Sequence, residues 1–512
     1  MKSEVLLFFF IDGLRSDTFP NVALMSLAAY VKKNEGINVK IICLDDYADP
    51  EHIIKTYMHD RVILCGISVL TPYITKAIKL SSVIKAKRKA APIVWGGVHA
   101  TLFPEQCFDC GDVDFAVRGD GEIPMLKLIQ FLRGKNETGL DGIPGLYYRR
   151  GKPGVIVKSK RNNELFSSSG ELDYDSVENI EDFIVGVGAG LYLPSYSNYG
   201  FFKSMVYSLP FAKRLFTFSG GRILPVLTGR GCPMKCTFCI NNAYFRKPVK
   251  YDTDGLLDTM LDLKTKYGID YFRFVDELFL VNRKFAVDFA ERILQRNMDI
   301  KWWASGHANL FSNMHVDDVE LLKKAGLVLT GFGLESGSER IIKRLKKGTN
   351  REKILKSAEI LSKCNLPFTI SFFCGIPGDR LDDYLQTLDI MRKIRELEIS
   401  NTCWMQRVQF YRPYPGNELY KEALREGYIP PKKLTDWQRS LAHQMPGKTD
   451  NMPWVTAGKA AEITSYIKYA RNNFLGYRHN PFLISMSQKL CHLYSLLTNK
   501  TYRKLDSGLK SI

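Results

Sequence analysis

The sequence predicts an α/β protein made of two successive α/β units and a helical tail, and three observations carry that reading. Over residues 1–140, short apolar runs alternate with stretches of helical period, the pattern of a parallel sheet wound on both faces. Past residue 221 the alternation returns, opening on three closely spaced cysteines. From residue 431 the apolar spacing reads as helix. At 512 residues the chain exceeds one ordinary core, and the expected division is 1–140, a joining region 141–220, 221–430 and 431–512.

In the first unit Glu4–Ile11 reads as a buried strand, Val22–Lys33 as a helix and Asn38–Leu44 as a second strand. Val62–Val69 makes a third strand, Tyr73–Arg88 a helix, Pro92–Trp95 and Val113–Val117 two more strands, and Met125–Leu132 a helix. In such a sheet ligands lie beyond the carboxyl ends of the strands, where strand order reverses. That rule gathers four loops: Asp12–Asp17, Ser68–Pro72, Gly96–Ala100 and Gly119–Glu122. Three are rich in small residues that let backbone approach a bulky ligand, although glycines that merely turn the chain would look the same.

Composition is that of folded protein, 45% hydrophobic and 25% charged. The net charge of +18 suits an acidic partner, whether nucleic acid, an anionic surface or a phosphorylated molecule, and does not choose among them. Eleven irregularly spaced cysteines do not form a disulfide framework. No signal peptide and no run of about 20 apolar residues is read, so a cytoplasmic, reducing compartment is expected.

The strongest motif is Gly231-Cys232-Pro233-Met234-Lys235-Cys236-Thr237-Phe238-Cys239, after a strand at Ile223–Leu227 and before a helix starting near Asp252. Three soft thiolates on one tight loop can hold three irons of a cubane and leave the fourth open. A zinc site normally takes four ligands, and no second cysteine pair lies nearby; Cys107 and Cys110 fall in the first unit.

This CxxxCxxC loop after the first strand of an α/β repeat resembles the radical S-adenosylmethionine (SAM) superfamily over residues 221–430. The resemblance implies a partial (β/α)6 barrel, a [4Fe–4S] cluster on Cys232, Cys236 and Cys239, and SAM bound at the open iron. It further implies SAM contacts at Asp276 and Glu277 (in YFRFVDELF), Glu335 and Ser336 (in GLESGS), Gly375 (in FCGIPGD) and Gln409 (in QFYRPYPG). His307, in GHANLF, reads as a core residue. No residue is assigned to catalysis.

The runs GISVLT, VWGGVHATLFPE and VRGDGE resemble the Rossmann-like cobalamin-binding domain found ahead of many radical SAM domains. That implies a corrin across Ser68, Leu70, Thr71, Gly96, Gly97, Val98, Gly119, Gly121 and Glu122. The Asp-x-His-x-x-Gly motif that supplies a histidine to cobalt is absent, and His99 is not read as a replacement, so binding without a histidine ligand is expected.

Together these resemblances imply a 5′-deoxyadenosyl radical and, as the commonest outcome, methylation of an unactivated carbon of a small or lipid-like metabolite, with cyclisation or rearrangement as the alternative. An external one-electron donor of flavodoxin or ferredoxin type, a monomer and no nucleic-acid partner are expected. A tRNA methylthiotransferase-like role fits less well, since no N-terminal three-cysteine pattern and no C-terminal β-barrel pattern are read. A non-catalytic cofactor sensor fits less well than an enzyme, because the SAM-binding segments follow in order.

Residues 145–157 read as a hairpin turning at Lys152-Pro153-Gly154, and 191–218 as an aromatic-rich segment between units. Helices with apolar faces are expected at Ala460–Asn473 and Pro481–Leu497; this basic region can cap the site with its apolar face, its charges facing solvent, or lie on an anionic membrane at its inner surface.

Overall fold

The structure is a computed structural model that describes residues 3–12, 18–135, 138–151, 155–159, 171–184, 222–241, 248–250, 252–397, 402–437, 452–475 and 482–511. The aromatic-rich segment 191–218, the hairpin tip 152–154 and most of the first glycine-bearing loop, 13–17, lie outside them.

The first sheet holds β1 (Glu4–Phe10), β2 (Asn38–Leu44), β3 (Val62–Ser68), β4 (Ile93–Gly96), β5 (Phe115–Val117), β6 (Leu146–Arg150) and β7 (Val155–Lys158), in the order β2-β1-β3-β4-β5-β6-β7. The five strands β1 to β5 are parallel, and every residue of β1 is buried, as expected of a strand covered on both faces. Strand order reverses at β1 and β3, so the switch-point crevice opens there. The hairpin β6–β7 pairs antiparallel with β5, which places it on the first sheet rather than in a free linker. A helix the sequence reading passed over, Pro50–Tyr57, carries ordinary start signals: Asp49 caps it and Pro50 occupies the first turn.

The second sheet is all parallel and runs in sequence order: β8 (Ile223–Val226), β11 (Tyr271–Phe274), β12 (Lys301–Ser305), β13 (Leu327–Glu335), β14 (Phe368–Cys374) and β15 (Cys403–Phe410). Helices follow each strand, among them Thr253–Tyr267, Arg283–Gln295, Val316–Lys324, Arg351–Lys363 and Leu381–Leu397. This is the expected six-stranded open barrel. The strand in YFRFVDELF ends at Phe274, and Phe279 turns back into an aromatic core with Phe274, Phe289 and Trp302. A two-stranded ribbon, β9 (Gly229–Arg230) and β10 (Val249–Lys250), frames the cysteine loop.

The C-terminal region is helical, with Ala457–Asn473, Phe482–Thr498 and an unforeseen third helix Lys500–Lys510. Tyr469 donates to Asp506 at 2.8 Å, tying the first of these to the last. Before them, Leu434 and Trp437 bury themselves in the core of the first unit, so the chain returns across both sheets.

Candidate active site

The cysteine loop leaves the second sheet at its carboxyl end and is pinned on every side. Asp276 is buried and accepts from Thr228 N at 3.1 Å and Thr228 Oγ1 at 2.6 Å, fixing the base of the loop. Glu277 accepts from Gly231 N at 3.1 Å. Beyond the motif's first cysteine, Thr237 N donates to Leu345 O at 3.0 Å, Leu419 N donates to Thr237 O at 2.9 Å, and Asn417 donates to Phe238 O at 3.1 Å. The two carboxylates expected to meet SAM are thus committed first to the loop that carries the cysteines.

Cys236 is buried, while Cys232 and Cys239 are half-buried. Burial pushes the Cys236 thiol up to about 11, against the pull of Lys347, and raises the other two as well. Ligand thiols must shed their protons on binding iron, so binding here releases protons. Among the described residues no three His, Cys, Asp or Glu side chains converge on one point as ligands of a single ion would. A cubane needs no such convergence, because each thiolate takes a different iron. Soft, pre-positioned thiols on a loop with anchored backbone fit that group.

Beside the loop lies a buried ion pair. Lys347 Nζ stands 2.9 Å from Glu335, each side chain retaining 12–13% exposure. Burial alone would lower the Lys347 pKa, but Glu335 and the neighbouring thiols hold it above the usual lysine range. Glu335 ends β13 in the left-handed region, φ +66°, where the β13–β14 register also slips. Such backbone costs about 1–3 kcal/mol in a residue with a side chain and concentrates at functional sites. Gly333 permits the arrangement: a Cβ there would strike the Glu335 carboxylate and lie 3.3 Å from Lys347 Nζ. Lys347 itself is held over the Phe238 ring at 5.7 Å, with its carbonyl 3.1 Å from His307 Nε2. His307 is buried and kept near 4 chiefly by burial, a neutral anchor for this strand-to-helix turn.

The remaining expected SAM residues divide. Ser336 is buried, its hydroxyl 3.1 Å from Thr387 Oγ1 and accepting from Ser338 N, so it braces the turn. Gly375, φ +80°, donates its N–H to Asp379 at 2.7 Å and accepts from Trp454 Nε1 at 3.0 Å; a Cβ there would collide with the Phe410 ring. Gln409 is exposed on β15, opposite Phe373 of β14. Lys459, from the C-terminal helix Ala457–Asn473, reaches Asp379 at 3.0 Å, so that helix packs over the Gly375 turn.

In the first unit the loops lace together beyond the strand ends. Val69 N donates to Gly96 O at 2.9 Å and His99 N to Val69 O at 3.0 Å, while Gly97, φ +85°, sits against Ser68 and Val69. Leu70 is 40% exposed, Val98 is half-buried, and nothing lies within 4 Å of where a Cβ would stand on Gly96 or Gly119. This gives an open face walled by backbone with an apolar projection, which fits a corrin. Thr71 is buried behind it, 3.4 Å from His99 Nδ1. His99 has no exposure, is kept near 4 by burial, and packs against Phe103 and the edge of Trp437. It occupies the core, in keeping with the expectation that it is no cobalt ligand. Gly121 packs on Leu27, and Glu122 turns away from the loops to meet Arg230 of the second unit.

Arg230, Lys347, Trp437 and Trp454 are the site-building residues that sequence reasoning missed. Only Arg230 had a usable signal, its place directly before the cysteine motif.

Comparison with known proteins agrees with this geometry. Residues 226–391 match the radical SAM superfamily and residues 15–129 the B12-binding domain. The chain therefore carries a radical SAM domain with a B12-binding domain ahead of it, the domain order of a cobalamin-dependent radical SAM enzyme. It is 27% identical over 417 residues to an uncharacterised methyltransferase of Pyrococcus horikoshii, covering 80% of each chain. It is 24% identical to the cytidylyl-2-hydroxyethylphosphonate methyltransferase of Streptomyces wedmorensis, over 66% of this chain and 62% of that one. Its fold is that of the radical SAM methyltransferase TsrM from Kitasatospora setae, solved with cobalamin and a [4Fe–4S] cluster, at TM-score 0.64, 14% identity and coverage of 100% and 99%. Among the described residues no helix is long and apolar enough to cross a membrane.

Proposed function

We propose that the protein methylates an unactivated carbon of a small organic molecule. The observation that carries the reading is the meeting of the two candidate cofactor sites: the cysteine loop and the VRGDGE loop are joined through Arg230 and Glu122. The relatives above are named as methyltransferases, which supports methyl transfer, while other relatives of 21–23% identity are named as cyclases, the alternative outcome. Loaded, the cluster and cobalamin supply the radical chemistry and the methyl carrier. In net terms, one substrate C–H, two SAM and two electrons become a methylated product, 5′-deoxyadenosine, methionine and S-adenosylhomocysteine.

The chain's own residues do the positioning. Cys232, Cys236 and Cys239 hold the cluster, and Asp276 and Glu277 fix the loop that carries them. Lys347 and Glu335, paired beside the cysteine loop, would offer complementary charges to the carboxylate and ammonium of SAM. Gly375 and Gln409 flank the adenine side, under the cap made by Trp454 and Lys459. Leu70, Gly96 and Gly119 wall the corrin. Excluding water from the cavity keeps a carbon radical from being quenched. The two electrons come from an acidic flavodoxin or ferredoxin, which the net charge of +18 suits.

The test uses holoenzyme, SAM with a deuterated methyl group and candidate metabolite pools, read by mass spectrometry. A product gaining the labelled methyl, with equal 5′-deoxyadenosine and S-adenosylhomocysteine, is expected. A transformed product without label, and no S-adenosylhomocysteine, would replace methyl transfer by rearrangement.

A further inference from the structure

We infer that Arg230 is a positioning residue that sets the separation of the corrin loops from the cluster loop, an inference that rests on the cofactor reading just given. Arg230 ends β9 and stands two residues before Cys232. Its guanidinium leaves its own unit and enters the first. One terminal nitrogen lies 3.2 Å from Asp120, and the other donates to Ser26 Oγ at 2.8 Å and pairs with Glu122. Asp120 and Glu122 belong to the VRGDGE loop at the carboxyl end of β5; Ser26 lies on the helix Val22–Glu35 and donates to Glu122 at 2.8 Å. The Arg230 side chain keeps 11% exposure and that of Glu122 keeps 3%.

The burial separates this contact from a surface pair, which would be screened and weakly oriented. A planar guanidinium reaching two carboxylates and a hydroxyl fixes angle as well as distance; a lysine would satisfy charge without the fork. Both ends of the clamp are stiff. On the cluster side, Arg230 is paired with Val249 across the β9–β10 ribbon, and Gly231 is tied to Glu277. On the corrin side, Gly119 N donates to Thr101 Oγ1 at 3.1 Å, Arg118 N donates to Gly145 O at 2.9 Å, and a Cβ on Gly121 would lie 3.1 Å from Leu27. Arg273 also crosses between the units, stacked between Phe19 at 4.7 Å and Trp303 at 4.2 Å. The clamp is therefore a directional link between the two candidate cofactor sites. Transfer between two cofactors demands such a link, since a displacement of about 1 Å can cost on the order of 10²-fold in rate.

The experiment reads separation rather than turnover. Holoenzyme is reduced so that cob(II)alamin and the one-electron-reduced cluster are both paramagnetic, and their spin–spin interaction is measured by electron paramagnetic resonance. Wild type is compared with Arg230→Met, Arg230→Lys and Glu122→Gln, with iron and cobalamin quantified in each sample. The expected result is loss or spreading of the wild-type interaction in Arg230→Met at unchanged cofactor content, with partial retention in Arg230→Lys. A wild-type interaction in Arg230→Met carrying both cofactors would overturn the clamp. Should that variant fail to fold or load, Glu122→Gln decides, with the same expected and overturning results. If wild-type protein takes up no cobalamin, the cofactor reading fails and the clamp falls with it.

Discussion

Removing Lys347 should damage the site out of proportion to one surface-looking lysine in a basic stretch. Lys347→Met leaves Glu335 buried beside the cysteine loop without its counter-charge, 2.9 Å from where the ammonium stood. Breaking a buried pair from one side costs about 3–5 kcal/mol, because the abandoned carboxylate must stay charged in a poor solvent or take up a proton. Replacing both partners removes the stranded charge, so Lys347→Met/Glu335→Gln should recover much of the loss. A protein of several units has no single unfolding free energy, so amide hydrogen exchange of β13 and the helix Glu339–Arg344 is the suitable measurement. The single variant should lose about 10²–10³-fold in protection there. Protection unchanged in the single variant, or losses in the double variant that merely add, would refute the reasoning.

Other outcomes follow from the same geometry. Asp276→Ala removes the buried acceptor of two Thr228 donors, each such bond to a charged group being worth about 1.5–3 kcal/mol, so iron retained after reconstitution should fall well below wild type; full iron content would contradict the anchoring role. Gly333→Ala should separate Glu335 from Lys347 by steric push at a cost of about 1–3 kcal/mol, seen as lost protection in β13, whereas unchanged protection would mean the turn adapts freely. His99 is held near 4 by burial against its ordinary 6.5, so the unfolded chain takes a proton that the folded one refuses. Its share of stability is complete above pH 6.5 and drains away as pH falls towards 4, amounting to about 3 kcal/mol at the acid end. His99→Phe should flatten that part of the acid slope in urea unfolding of the first unit, and parallel slopes for variant and wild type would exclude it.

Much of this architecture was legible because its signals are local. β1 is a continuous apolar run, and continuous apolar runs bounded by glycine loops mark strands covered on both faces. Three thiols in eight residues after a strand need no tertiary knowledge to be noticed. What escaped depends on direction and return. Asp276 and Ser336 stand at the expected strand ends, but a sequence does not say whether an oxygen faces the cavity or the neighbouring loop, and here Thr228 and Thr387 claim them. Lys347 hides in RLKKG, which looks like a solvated helix end; only the fold turns it back over Phe238. Trp437 lies more than 330 residues from His99, and no periodicity links such partners. The hairpin β6–β7 was recognised as a hairpin but not as an extension of the first sheet, since edge pairing is decided by β5 and not by the hairpin itself.

The C-terminal helices divide between two surfaces. Ala457–Asn473 closes on the second sheet, whereas Phe482–Thr498 presents Leu490, Leu493, Tyr494 and Leu497 at more than half exposure on one face. The first of these helices reaches the Gly375 turn through Lys459 and Asp379.

The central claim is that one chain holds a SAM-cleaving cluster on three cysteines together with cobalamin. Its most direct measurement is anaerobic reconstitution followed by quantification of iron, cobalamin and SAM-derived products, in wild type and in Cys232→Ala/Cys236→Ala/Cys239→Ala. The account predicts equal cubane and cobalamin in wild type with reductant-dependent 5′-deoxyadenosine, and a triple variant that keeps cobalamin while losing the cluster and the cleavage. Cleavage surviving the triple variant, or a wild-type protein that takes up the cluster but no cobalamin, would contradict it.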